Sequence, residues 1–194
     1  SNATGNEGET SSFTVSTTSS SGTVTYQWER SDDAGANYAS VGATGQTAAF
    51  TTPTLVFAND NADRYRVVAS LVGAAASITS THGELTVLRV ISISAQPTST
   101  AVIEGQTGTF NITAAITSDV ISYQWQISTN SGGAWNNING ANAASYTTPA
   151  TVYPTSPAEQ FRCVLTNTNA TTLTSNAATL TVNAVSYTHL TLPT

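Results

Sequence analysis

Residues 123–135 read YQWQISTNSGGAW, and residues 26–38 of the same chain read YQWERSDDAGANY. Each copy holds a Tyr-Gln-Trp strand signal, a polar turn and a second aromatic residue. The correspondence extends outward on both sides. Glu7, Gly8, Thr10, Phe13, Tyr26 and Trp28 reappear 97 positions later as Glu104, Gly105, Thr107, Phe110, Tyr123 and Trp125. Beyond the turn the separation falls to 96, aligning FTTP (50–53) with YTTP (146–149) and RYRVV (64–68) with QFRCV (160–164). It falls to 95 where ELTV (84–87) meets TLTV (179–182). Two one-residue deletions in loops are what tandem copies of one fold tolerate. A period this long exceeds a solenoid repeat and matches a whole small domain.

Composition sets the class of those domains. Of 194 residues 39% are hydrophobic, enough for two cores, but only 8% are charged, against about 25% in an ordinary globular chain. There is no lysine, and Ser plus Thr supply roughly three residues in ten. Helix formers are scarce while Thr, Val and Ile abound, which favours strands. Within each copy the apolar positions have period two: Phe13 and Val15 alternate with polar residues, as do Phe110, Ile112 and Ala114. Short strands of this kind, separated by Gly-, Asn- and Asp-rich turns, predict an all-β sandwich or barrel.

Six motifs, in one order and twice over, carry a resemblance. Gly105, Gln106 and Thr107, YQWQ (123–126), GGAW (132–135), YTTP (146–149), FRCV (161–164) and AATLTV (177–182) resemble the repeats of immunoglobulin-like domains in bacterial surface and phage virion proteins. The resemblance implies two immunoglobulin-like β-sandwiches, arranged end to end, over residues 4–90 and 91–183. It implies that Trp28 and Trp125 are the core tryptophans filling the space between the sheets. Tyr65 takes the position of the tyrosine corner, where its hydroxyl is expected to bond nearby backbone, whereas Phe161 in the second copy is expected to hold by packing alone. The positions that carry the inter-sheet disulfide in antibody domains read Thr17 and Val67 in one copy and Ala114 and Cys163 in the other, so neither copy can form it. Cys163 is expected to be a buried, inert thiol.

The residues exclude several functions. A net charge of −6 with five scattered Arg gives no footprint for nucleic acid. No apolar run reaches the ~18 residues of a membrane span. The two histidines, His82 and His189, cannot assemble a Ser-His-Asp or metal-ligand cluster, so an enzyme and a bound cofactor are not expected. Asp32 with Asp33, and Asp60 with Asp63, fall in turns. They are weak candidates for calcium through loop oxygens, set against the ordinary use of Asp to start turns. Tyr38, Trp135, Tyr146 and Tyr153 are candidate ligand contacts, since an exposed ring offers a sugar an apolar face. The many Ser and Thr are expected at outward strand positions.

The function these features favour is a non-enzymatic spacer or display module in a larger surface or virion protein, placed extracellularly. An adhesion or carbohydrate-binding module with a cell-surface protein or glycan partner, and an accessory domain of a secreted hydrolase, are the alternatives. Residues 1–3 resemble an expression-tag remnant, and residues 184–194 resemble an adapter-derived tail of metagenomic origin, with the natural protein expected to run on. The first copy is expected to start almost directly at Glu7, lacking the counterpart of a first strand in residues 91–106. That leaves an open edge to which the tail of a neighbouring molecule is expected to add, giving a monomer or weak strand-mediated association.

Overall fold

The computed structural model describes residues 1–19, 22–154 and 158–185. The chain divides after Val90 into two compact units, Ser1–Val90 and Ile91–Thr194. In the first, β1 (Ala3–Asn6), β2 (Ser12–Thr14), β3 (Val24–Ser31), β4 (Ala39–Ser40), β5 (Ala49–Thr51), β6 (Arg64–Leu71), β7 (Ser77–Thr79) and β8 (Gly83–Leu88) form two sheets. The larger runs β1-β8-β6-β3-β4 with β7 on β6, and the smaller is β2-β5. One helical turn, α1 (Phe57–Asp60), bridges β5 and β6.

The second unit comprises β9 (Ile91–Ala95), β10 (Thr100–Ile103), β11 (Thr109–Asn111), β12 (Thr113–Ile116), β13 (Ser122–Ser128), β14 (Asn136–Asn137), β15 (Ser145–Thr147), β16 (Glu159–Thr166), β17 (Leu173–Thr174) and β18 (Ala178–Asn183). Its main sheet, β10-β18-β16-β13-β14 with β17 on β16, repeats the order of the first unit, opposite the pairs β11-β15 and β12-β9. In both units one parallel pair, β1 on β8 and β10 on β18, sits among antiparallel ones.

The cores follow from the alternation. Each tryptophan lies on the strand next to the sheet centre and pairs directly across it, Trp28 with Val67 and Trp125 with Cys163. The indole N–H groups, which burial would leave unpaired at a cost, donate to the Thr47 and Ala143 carbonyls at 2.9 Å. Phe13 stacks on Tyr65 at 4.8 Å between ring centroids, and Phe110 on Phe161 at 4.6 Å. Leu85 and Val87 close the first core, and Leu180 and Val182 the second.

Four expectations need correction. The first unit begins before Glu7: Ala3 opens β1, and the Asn2 side-chain carbonyl accepts from the Glu84 N–H at 3.0 Å. The chain bonds here because β8 offers an edge in register. Thr17 is not a core position opposite Val67; it is exposed, and its hydroxyl shares a 2.6 Å hydrogen bond with the Tyr26 hydroxyl. Phe13 and Val15 hold the inward places on that segment. Several hydroxyls predicted to face outward are buried, namely Ser31, Thr52, Ser128, Thr148 and Ser175. Finally, the Tyr65 hydroxyl makes no hydrogen bond to backbone among the described residues. Buried with its ring between Phe13 and Phe50, its pKa is pushed up to about 12 by that burial, with Arg30 and Asp63 acting on it in opposite senses. Of the tail 184–194, expected to add to a sheet edge, residues 186–194 lie outside the described residues, and Val185 is exposed.

Candidate binding surface

The turn between the tryptophan strand and its short neighbour is organised by a buried serine. Ser31 donates to Asp33 Oδ1 at 2.7 Å and accepts from the Gly35 N–H at 2.8 Å. Asp33 then accepts from the Asn37 backbone at 2.9 Å and from the Asn37 side chain at 2.7 Å. The second unit uses Ser128 and Asn130 in the same way, with Gly132 and Ala134 as donors. Both turns place two successive residues at positive φ, Ala34 with Gly35 and Ser131 with Gly132, and glycine takes the second place because it carries no Cβ penalty there. Hydrogen bonds from Asn37 and Ser31 hold the Asp33 carboxyl down at about 2. Asp33 is therefore a turn-building residue, and its asparagine counterpart does the same work without charge.

The other aspartates are drawn to an arginine. Arg30 stands 3.2 Å from Asp60 and 2.5 Å from Asp63, and Arg30 also donates to the Asn59 carbonyl at 3.0 Å. Asp60 in addition accepts from the Val56 N–H at 2.7 Å, tying the end of α1 back to the residue before its start. Asp63 is 3% exposed. Burial pushes its carboxyl up to about 6, against the pull of Arg30. The candidate calcium carboxylates are otherwise engaged: a guanidinium lies between Asp60 and Asp63, Asp33 is held in its turn, and Asp32 is exposed at the first unit's groove. Among the described residues no three His, Cys, Asp or Glu side chains come together as a metal site.

The buried Asp63 makes stability depend on pH with a definite sign. Its folded pKa lies above the unfolded value of about 3.9, so its contribution is fully present below about pH 4 and is lost as pH rises through about 6. Asp63→Asn should remove that dependence. Comparing urea midpoints, we expect the wild type to lose ground to the variant between pH 4 and pH 7. A difference that stays constant, or moves the other way, would show that Arg30 outweighs burial. Asp33 acts in the opposite sense but titrates below this window.

The candidate aromatic contacts have different surroundings. Arg66 lies over the Tyr38 ring, 3.8 Å from its centroid, and donates to Glu29 at 2.7 Å. Arg162 lies over Trp135 at 4.2 Å and donates to Gln126 at 2.8 Å. One face of each ring is thereby covered by a cation. Tyr146 is half-buried in the second core, 6.2 Å from Trp125 and 5.7 Å from Phe161, where burial raises its pKa. Of the four only Tyr153 is largely exposed.

Beside these rings each unit has a groove at the same place. In the first, about 670 Å³ opens over Arg30, Asp32, Tyr38, Val41, Phe50 and Tyr65. In the second, about 440 Å³ lies over Ile127, Ile138, Tyr146, Val152, Phe161 and Leu180. The frame is shared, but Ile127 stands where the first unit has Arg30, so the first groove holds Arg30 and Asp32 while Glu159 is the charged residue of the second. Cys163 is fully buried, and burial pushes its thiol up to about 11, which leaves no reactive thiolate. The residues that sequence reasoning missed are the buried hydroxyls. Thr52 and Thr148 accept from the N–H groups of Ser11 and Gly108, and Ser80 and Ser175 accept from those of Val67 and Cys163. Their only sequence signal was recurrence at the repeat spacing.

Two facing sheets, a tryptophan paired across to the strand of Val67 or Cys163, and a parallel edge pair define two tandem immunoglobulin-like β-sandwiches. Residues 91–184, the second unit, match the family described as "Domain of unknown function (DUF8696)". No curated protein matches the chain. Among solved structures, Drosophila OTK extracellular domains 3–5 are 18% identical with a TM-score of 0.38; the match covers 92% of this chain and 61% of that one. A chimeric titin Z1Z2-Z1Z2 tandem is 18% identical with a TM-score of 0.41, covering 95% of this chain and 97% of that one. DIP-gamma IG1+IG2 is 14% identical with a TM-score of 0.39, covering 93% of each. No helix among the described residues is long and apolar enough to cross a membrane.

Proposed function

We propose that the chain is a non-enzymatic spacer or display segment of a larger extracellular protein, of the bacterial surface or phage virion kind. One observation carries this reading: the polar residues that recur in both units serve the scaffold. Ser31 and Ser128 build turns, Thr52 and Thr148 and Ser80 and Ser175 satisfy backbone donors, and Arg66 and Arg162 clamp an aromatic ring. The grooves are among the places where the units differ. A repeat that retains its frame and varies its surface is suited to setting distance and presenting loops.

The charged groove of the first unit favours a second reading, an adhesion module for a protein or glycan. A glycan array separates the two. The spacer reading expects no retention above background by the full chain. Retention abolished by Tyr38→Ala or Trp135→Ala would overturn it in favour of carbohydrate binding.

A further inference from the structure

The turn after β14 differs in chemistry from its counterpart after β4. Ile138 donates its N–H to the Trp125 carbonyl at 2.9 Å, as Val41 does to the Trp28 carbonyl at 3.1 Å. Beyond Val41 the first unit continues Gly42-Ala43, whereas beyond Ile138 the second continues Asn139-Gly140, the one Asn-Gly pair in the chain. Ala141 donates to the Ile138 carbonyl at 3.2 Å, and Gly140 has a φ of 75°. Residues 138–141 therefore form a type II turn with Asn139 and Gly140 at its centre.

The ends of this turn are held and its centre is not. The Ile138 carbonyl also accepts from Gln124 Nε2 at 2.9 Å, and the Ala141 carbonyl accepts from the Trp125 N–H at 3.0 Å. Asn139 and Gly140 are exposed. Neither the Asn139 side chain nor the Gly140 N–H has a hydrogen-bond partner among the described residues. The space beside Gly140 is open, since a Cβ there would meet no atom within 4 Å. Asn130, followed by Ser131, is the opposite case, its side-chain oxygen accepting from the Ser128 hydroxyl and the Ala134 N–H. A free side-chain amide next to an unhindered backbone nitrogen is the arrangement in which asparagine closes on its own chain, and glycine leaves that nitrogen uncovered and the backbone free to turn.

We propose that Asn139 is a site of spontaneous deamidation and that its isoaspartate product weakens the second unit. The Gly140 backbone nitrogen attacks Asn139 Cγ. The new N–Cγ bond replaces the Cγ–Nδ2 bond, and ammonia leaves carrying the Gly140 amide proton. Water then opens the cyclic imide. Cleavage of its bond to Cγ gives aspartate, and cleavage of its bond to the Asn139 backbone carbonyl gives isoaspartate, with the chain running through the side chain. The net change is one water consumed and one ammonia released, with no oxidant or reductant. Isoaspartate inserts an extra carbon between Ile138 and Ala141, whose hydrogen bonds to Gln124 and Trp125 fix their separation. The longer chain strains those bonds, which tie the turn to the strand of the core tryptophan.

The test ages the full chain in mildly alkaline buffer and follows each asparagine by peptide mapping with mass spectrometry. Asn139 should convert at least tenfold faster than Asn130, with isoaspartate exceeding aspartate, and Asn139→Gln should leave position 139 intact. In the aged chain the unfolding midpoint of the second unit should fall while that of the first holds. Freshly prepared Asn139→Asp, which carries the new charge on an ordinary backbone, should keep the wild-type midpoint. Conversion of Asn130 as fast as Asn139, or conversion of Asn139 only in urea, would overturn the site. A converted chain with an unchanged midpoint would overturn the loss of stability, and a fresh Asn139→Asp midpoint as low as that of the aged chain would assign the loss to charge and overturn the role of the extra carbon.

Discussion

Trp125→Ala should destabilise the second unit by about 3–5 kcal/mol, the range for removing a large aromatic side chain from a packed core, while the unfolding transition of the first unit stays in place. The Trp125 ring has no exposed surface, lies 6.3 Å from Phe110 and 6.2 Å from Tyr146, and donates its N–H to the Ala143 carbonyl. Truncation leaves a cavity and an unpaired carbonyl that the strands on either side cannot collapse to cover. The two core clusters share no residue, which is why the damage should be confined. Denaturant unfolding with a fluorescence probe in each unit reads both transitions. A shift in both would show that the units unfold together, and a loss below about 1.5 kcal/mol would mean that the cavity closes.

Cys163 labelling should be slower in the native chain than in urea by about three orders of magnitude or more. The thiol is fully buried in the ladder opposite Trp125, and its pKa lies near 11 through burial, so reagent reaches it only when the second unit opens. For a domain stable by ~5 kcal/mol the open fraction is on the order of one in several thousand. Trp125→Ala, by lowering that stability, should accelerate labelling by about two orders of magnitude or more. Native labelling at the unfolded rate would mean that β16 is mobile. Acceleration much below the loss of stability would mean that Cys163 reacts through a local opening.

The sequence by itself determined the repeat, the all-β class and the identity of the core. Alternation made Phe13 and Phe110 inward residues, because a strand turns successive side chains to opposite faces whatever it packs against, and the resemblance to immunoglobulin-like repeats implied the same of Trp28 and Trp125. It also determined that the inter-sheet disulfide is missing, which follows from a single cysteine. Other assignments depended on residues brought together from far apart in the chain. Ser80 and Ser175 read as ordinary surface hydroxyls until β6 and β16 present backbone N–H groups to them. Asp60 and Asp63 read as loop carboxylates until Arg30, some thirty residues earlier, comes between them. Tyr38 and Trp135 read as open rings until Arg66 and Arg162 cover them, and Tyr146 reads as a surface ring until the second core closes on it. Burial and polar pairing belong to the contact between strands, and a period-two pattern fixes only which face a side chain takes, not what it meets there.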